Sequence, residues 1–192
     1  MAASASGSAH TPLLAKLALL LLLAALIVAV APQRAEAYNL LGCKYTTKNL
    51  TFRMAVNVGT GYPTAITEAV YDWSGNTDVN FTGTSGTPNL QITVSNYGNT
   101  GWYGRISSGG CSRGLWTYQH AQLNNTLLGG KTTQNKRGTA AHEVGHALGL
   151  AHNDSGSACS SYKLMNSFGD LQHACNIYAT RTDDRNGVNA LY

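Results

Sequence analysis

Leu50, Phe52, Met54, Val56 and Val58 alternate with polar or small residues. That two-residue period predicts a half-buried strand over residues 50–58. Gly59-Thr60-Gly61 follows as a turn, and Pro63 suits the first turn of a helix. Ile66, Ala69, Val70 and Trp73 then recur at helical spacing, predicting an amphipathic helix over residues 63–74 with Trp73 in the core. Residues 79–82 and Leu90–Ser95 read as short strands. The glycine-rich residues 96–114 predict an irregular loop, and residues 115–123 another strand. A second helical period, within residues 132–150, puts Ala140, Val144, Ala147, Leu148 and Ala151 on one side and His142, His146 and Gly149 on the other. Thr182 is placed to cap a closing helix over residues 183–191, with Val188 and Leu191 facing inward.

The polar side of the second helix carries the candidate chemistry. Residues 142–152 read H-E-x-x-H-x-x-G-x-x-H. Positions four apart share a helix face, so His142 and His146 can offer imidazoles to one ion. Gly149 accepts the left-handed backbone that ends a helix, so the chain can turn and return His152 as a third ligand. Glu143, next to the first ligand, is placed to reach a metal-bound water. Three imidazoles without a thiol suit zinc with one position open, the catalytic rather than the structural arrangement. Five fixed identities coincide by chance on the order of once in ten million starting positions.

This motif resembles that of the metzincin zinc endopeptidases. The ending Asp183-Asp184-Arg185-Asn186-Gly187-Val188-Asn189-Ala190-Leu191-Tyr192 resembles the matrixin branch, in a bacterial-type form without a cysteine-switch propeptide. The resemblance implies an α+β fold: a twisted mixed sheet of about five strands, two long helices, one carrying H-E-x-x-H, and a C-terminal helix. It implies Met165 in a turn beneath the zinc, and residues 117–124 in or near the edge strand that pairs with substrate. It also implies a secreted endopeptidase, acting on protein or peptide substrates, in which a zinc-bound water activated by Glu143 hydrolyses the peptide bond. Departures limit the transfer. Asn153 follows the third histidine where matrixins usually have serine, and Ser167 stands two after Met165, so no tyrosine ligand is expected. The alternatives are an exported binding or adhesive module with a vestigial zinc site, and a zinc hydrolase of non-peptide substrates.

Residues 1–37 read as a signal peptide: an apolar run over residues 17–31, shorter than the ~20 residues of a membrane span, precedes Ala35-Glu36-Ala37. Residues 38–192 then form one catalytic domain, secreted to the extracellular space, without stable membrane association and expected to be a monomer. Four cysteines in an exported chain predict two disulfides. Three pairings are open; the favoured one is Cys159–Cys175, stapling the segment with Met165, with Cys43–Cys111 tying down the N-terminal segment. A formal charge of +4 without a long basic run argues against nucleic acid, and Lys136-Arg137 reads as a solvated helix start. His120 and His173 read as surface or satisfied core residues rather than a second zinc site. Carboxylates are too sparse for calcium to be predicted. N-x-[ST] triplets stand at Asn49, Asn80, Asn124 and Asn153.

Overall fold

The computed structural model describes residues 38–192; the expected signal peptide lies outside the described residues. Strand β1 (Asn49–Val56) leads into helix α1 (Tyr62–Asn76), then β2 (Asn80–Gly83), β3 (Leu90–Ser95), β4 (Gly104–Ser108) and β5 (Gln119–Asn124). A single turn, α2 (Asn125–Leu128), precedes α3 (Thr133–Leu148), the short α4 (Gly169–Ala174) and α5 (Thr182–Leu191). The sheet order is β2-β1-β3-β5-β4. β1 runs parallel to β2 and β3, and β3 parallel to β5, while β4 alone is antiparallel. This is the expected α+β architecture with a mixed sheet of five strands.

Two elements depart from the sequence reading. The loop expected over residues 96–114 contains β4, whose Gly104-Arg105-Ile106-Ser107-Ser108 holds a single large apolar residue. An edge strand needs little apolar surface, so no alternation marked it. The role expected of residues 117–124 also moves. β5 is hydrogen-bonded on both sides, with Ile92 opposite Ala121 in β3 and Ile106 opposite Ala121 in β4. A strand with two partners has no free edge; the sheet's edge strands are β2 and β4, and β4 is the free edge on the β5 side. The strand expected from residue 115 begins only at Gln119: Leu115 closes a bridged turn with Ser112, and Trp116 N–H donates to Lys44 O.

The core lies between the sheet and the pair α1 and α3. Ile66, Ala69, Val70 and Trp73 of α1 are fully buried, as the helical period required, and Tyr62 at its start is buried with them. The Trp73 indole N–H donates to Ala141 O at 3.0 Å, so the core tryptophan also fixes the second helix. Helix α3 starts on a Thr132 hydroxyl that accepts from Asn135 N–H. It stops at Gly149, whose φ of 110° lies in the left-handed region and whose N–H reaches back to Gly145 O and His146 O. The expected solvated start at Lys136-Arg137 is corrected. Lys136 is buried, donating to Thr60 O and Gly129 O with its ammonium over the Tyr62 ring, and Arg137 bonds Glu68. Sparse backbone carbonyls at the end of a turn need a donor, and the long lysine stem supplies one.

Both favoured cysteine pairs are joined, Cys43 to Cys111 and Cys159 to Cys175. Helix α5 begins at Thr182, but its first turn is closed by the Asp184 carboxylate accepting from Arg181 N–H at 2.8 Å, not by the Thr182 hydroxyl. Of the four N-x-[ST] asparagines, Asn124 and Asn153 are buried, where an attached sugar has no room.

Candidate metal centre

His142 and His146 lie one turn apart near the C-terminal end of α3, and the left-handed turn at Gly149 brings His152 back to them. His152 Nε2 stands 3.2 Å from His142 Nε2 and 3.1 Å from His146 Nε2. The other nitrogens are engaged: His142 Nδ1 meets Leu164 O at 2.8 Å and His146 Nδ1 meets Leu150 O at 2.8 Å. A carbonyl only accepts, so each Nδ1 carries the proton and each Nε2 keeps a lone pair. Two lone pairs therefore face the third ring's Nε2, which in a neutral ring has at most one proton for both contacts. A cation resolves this frustration. Ligands about 2.0–2.1 Å from a tetrahedral ion stand roughly 3.3 Å apart, close to the spacing found. The residues present fit a metal ion.

Burial sharpens the argument. His142 is held well below the ordinary imidazole range, chiefly by burial and next by the neighbouring His146. His146 is pushed down to about 4 by the same burial. Both rings are thus neutral, the state that binds metals. Glu143 is buried, its Oε2 has no hydrogen-bond partner, and burial pushes its carboxyl up to about 8. That unpaired carboxyl lines the same cleft as the three histidines.

The floor of the site is built from three other segments. Met165 is buried with its Sδ against Gly145, between the two helical histidines in sequence. A Cβ at position 145 would collide with that sulfur and lie 3.1 Å from the Trp73 ring, so glycine is required there. Gln172 donates to Leu164 O at 3.2 Å, the carbonyl that also holds His142. Asp184, buried at the start of α5, accepts from Leu164 N–H at 3.2 Å and Met165 N–H at 3.3 Å. Asn153 N–H donates to Met165 O, and its side chain donates to Asp183. Ser167 is tied through its N–H and hydroxyl to Asp154. At the other end, Asn39 Nδ2 donates to His152 O at 2.7 Å, and residues 39–41 pair with the segment leading to His152. His120 bonds Thr93, and His173 bonds Thr139, so neither joins the cluster.

Sequence reasoning placed the histidines, Glu143 and Met165 but missed their supports. Asp183 and Asp184 were marked only by their place in the matrixin-like ending. Nothing in the sequence marked Asn39, Gln172 or Asp154.

A cleft of about 700 Å³ runs over the cluster, between β4 (Gly104 to Ile106) and the segment Asn166 to Asp170. A mixed five-stranded sheet against two long helices, with three imidazoles gathered at the end of the second, is a metzincin-like protease architecture. The family model for matrixins matches residues 112–192, from the turn before β5 to the C-terminus, and over that stretch the chain is matrixin-like. The matched residues include the histidine cluster, Glu143, Met165 and the Asp183-Asp184 pair; β1 to β4 and α1 lie outside the match. No curated protein matches the chain.

Proposed function

We propose that this chain is a secreted zinc endopeptidase in which His142, His146 and His152 hold the metal and Glu143 moves the proton. The observation that carries the reading is the pair of Nε2 lone pairs, fixed by two backbone carbonyls, converging on His152 beside a buried carboxyl without a partner. Imidazole donors without thiolate or carboxylate suit zinc. Bound there, zinc supplies a Lewis acid that acidifies water and polarises a carbonyl.

Glu143 does the proton work. Its ordinary carboxylate range is too acidic for a base near neutral pH, and burial raises it. It accepts a proton from the attacking water and delivers it to the nitrogen of the departing amine. The open edge of β4 gives an extended peptide N–H and C=O groups to pair with, so the substrate docks as an added strand. Met165 and Asp184 hold the turn beneath the rings in place and touch no substrate, while Gln172 holds Leu164 O from the wall of the cleft. Two disulfides support an oxidising compartment, and among the described residues no helix is long and apolar enough to cross a membrane. In this reading residues 1–37 direct export and residues 38–192 are the catalytic domain.

Casein hydrolysis with zinc, with chelator, and after zinc is restored tests the activity. Glu143→Ala is expected to keep zinc and the circular dichroism spectrum while losing at least ~100-fold in kcat. A zinc-loaded Glu143→Ala protein that cleaves at the wild-type rate refutes the assigned role, and chelator-resistant cleavage refutes the metal.

A further inference from the structure

Tyr103 is the residue whose position the chemistry described so far leaves unused. It immediately precedes β4 and reaches across the cleft to the opposite wall. Its hydroxyl donates to Asp170 Oδ1 at 2.5 Å, and its ring lies on Gly169, where a Cβ would stand 2.7 Å from Tyr103 Cδ2. The ring also packs on His173, with centroids 4.7 Å apart, and His173 Nε2 bonds the Thr139 hydroxyl at 3.1 Å. Thr139 is one turn before His142 on α3. Gly104 presses against that same face, since a Cβ there would lie 2.6 Å from Glu143 Oε1 and 2.9 Å from Thr139 Cγ2.

These contacts enclose the recess beside Glu143. Thr139, the buried Gln172, Gly104, Tyr103 and Asp170 line the cleft together with Glu143, and the Tyr103–Asp170 hydrogen bond bridges its two walls there. Behind Thr139 the helix backbone is itself backed, because a Cβ on Gly138 would stand 2.6 Å from Ile177 O. The Tyr103–Asp170 bridge therefore limits the room beside Glu143. Which side chain enters it follows from the proton transfer: Glu143 serves the departing nitrogen, so the residue that owns that nitrogen sits beside Glu143. Resting on the proposed peptidase activity, we propose that Tyr103 is a specificity-determining residue. Bridged to Asp170, it restricts the residue following the cleaved bond to glycine, alanine or serine.

Quenched fluorescent peptides that differ only at that residue (Ala, Ser, Leu or Phe) test this with the zinc-loaded protein. Wild type is expected to favour Ala over Phe by about 10–200-fold in kcat/KM, the range a poorly fitting group commands. Tyr103→Ala should raise the Phe peptide and bring the ratio to roughly threefold or less, with zinc content unchanged. Tyr103→Phe keeps the ring but not the hydrogen bond, so it should retain preference for Ala at an intermediate ratio. Equal cleavage of Ala and Phe peptides by wild type overturns the inference. So does a Tyr103→Ala protein whose rates change by one common factor. If wild type hydrolyses none of the peptides, the activity reading fails. The recess is then judged by binding of the same peptides to zinc-loaded Glu143→Gln protein, followed by tryptophan fluorescence. A preference for Ala that disappears on adding Tyr103→Ala keeps the inference, and equal affinities remove it.

Discussion

Asp184 is the support whose removal should tell most. It is buried, and its carboxylate accepts from three backbone groups: Leu164 N–H, Met165 N–H and Arg181 N–H. Replacement by alanine orphans all three. Arg181 N–H stands at a helix start where water can replace the lost acceptor. The other two donors are buried, and each costs about 1–3 kcal/mol when left unpaired. Against this stands the relief of no longer burying a charge, a real cost, since burial outweighs the three hydrogen bonds and raises the Asp184 carboxyl above its ordinary value. The net expectation for Asp184→Ala is a loss of roughly 3 kcal/mol. Asp184→Asn keeps one acceptor oxygen and should lose about half as much. Leu164 O holds His142 Nδ1, so a loosened turn also loosens a metal ligand, and zinc affinity should fall about 10–100-fold. Urea unfolding of the metal-free protein reads the first effect, and chelator competition the second. An Asp184→Ala protein within ~0.5 kcal/mol of wild type, with unchanged zinc affinity, refutes the claim that this carboxylate organises the turn.

Other outcomes follow from the same contacts. Metal-free protein contains two opposed pH effects. His146 has its pKa lowered to about 4, so its neutral form contributes stability above about 6.5 that is lost as pH falls through about 4. Glu143 is raised to about 8, so its contribution is full below about 4.5 and lost as pH rises through about 8. Metal-free Glu143→Gln should therefore match wild type near pH 4 and become more stable than it by a few kcal/mol (on the order of 2–4) above pH 8. Denaturation curves at both pH values check this, and a pH-independent difference contradicts the buried carboxyl. Gly145→Ala should destabilise by about 1–3 kcal/mol, because its methyl meets Met165 and Trp73; a thermal melt that does not shift would contradict the tight contact. Breaking Cys159–Cys175 by a double serine substitution should cost about 3 kcal/mol. It should also raise hydrogen exchange at Met165, which sits inside the closed loop; unaltered exchange there argues against the staple.

Much of this molecule was readable along the chain because the relevant signals are local. The alternation of residues 50–56, the helical period around Trp73 and the eleven-residue histidine motif each repeat at the period of the element that carries them. Gly149 announced its own turn, since only glycine takes that backbone cheaply. The partners of these elements were not readable. β4 has one apolar side chain and became a strand only because β5 offered it a ladder. Lys136 looked solvated until carbonyls from two other segments closed over it.

The same division runs through the site. Residue identity and spacing alone determined that three imidazoles and a carboxyl lie close to one helix end. Tertiary structure decided which nitrogen of each ring faces the centre, because the carbonyls that take the Nδ1 protons belong to Leu164 and Leu150, outside the helix. It also decided what supports the turn and what bars the recess: Asp184 reaches Met165 across 19 positions, and Tyr103 reaches Asp170 across 67. A periodic pattern encodes which side of an element is buried. It does not encode which distant polar group will meet a donor there, because that choice is made only when the elements pack.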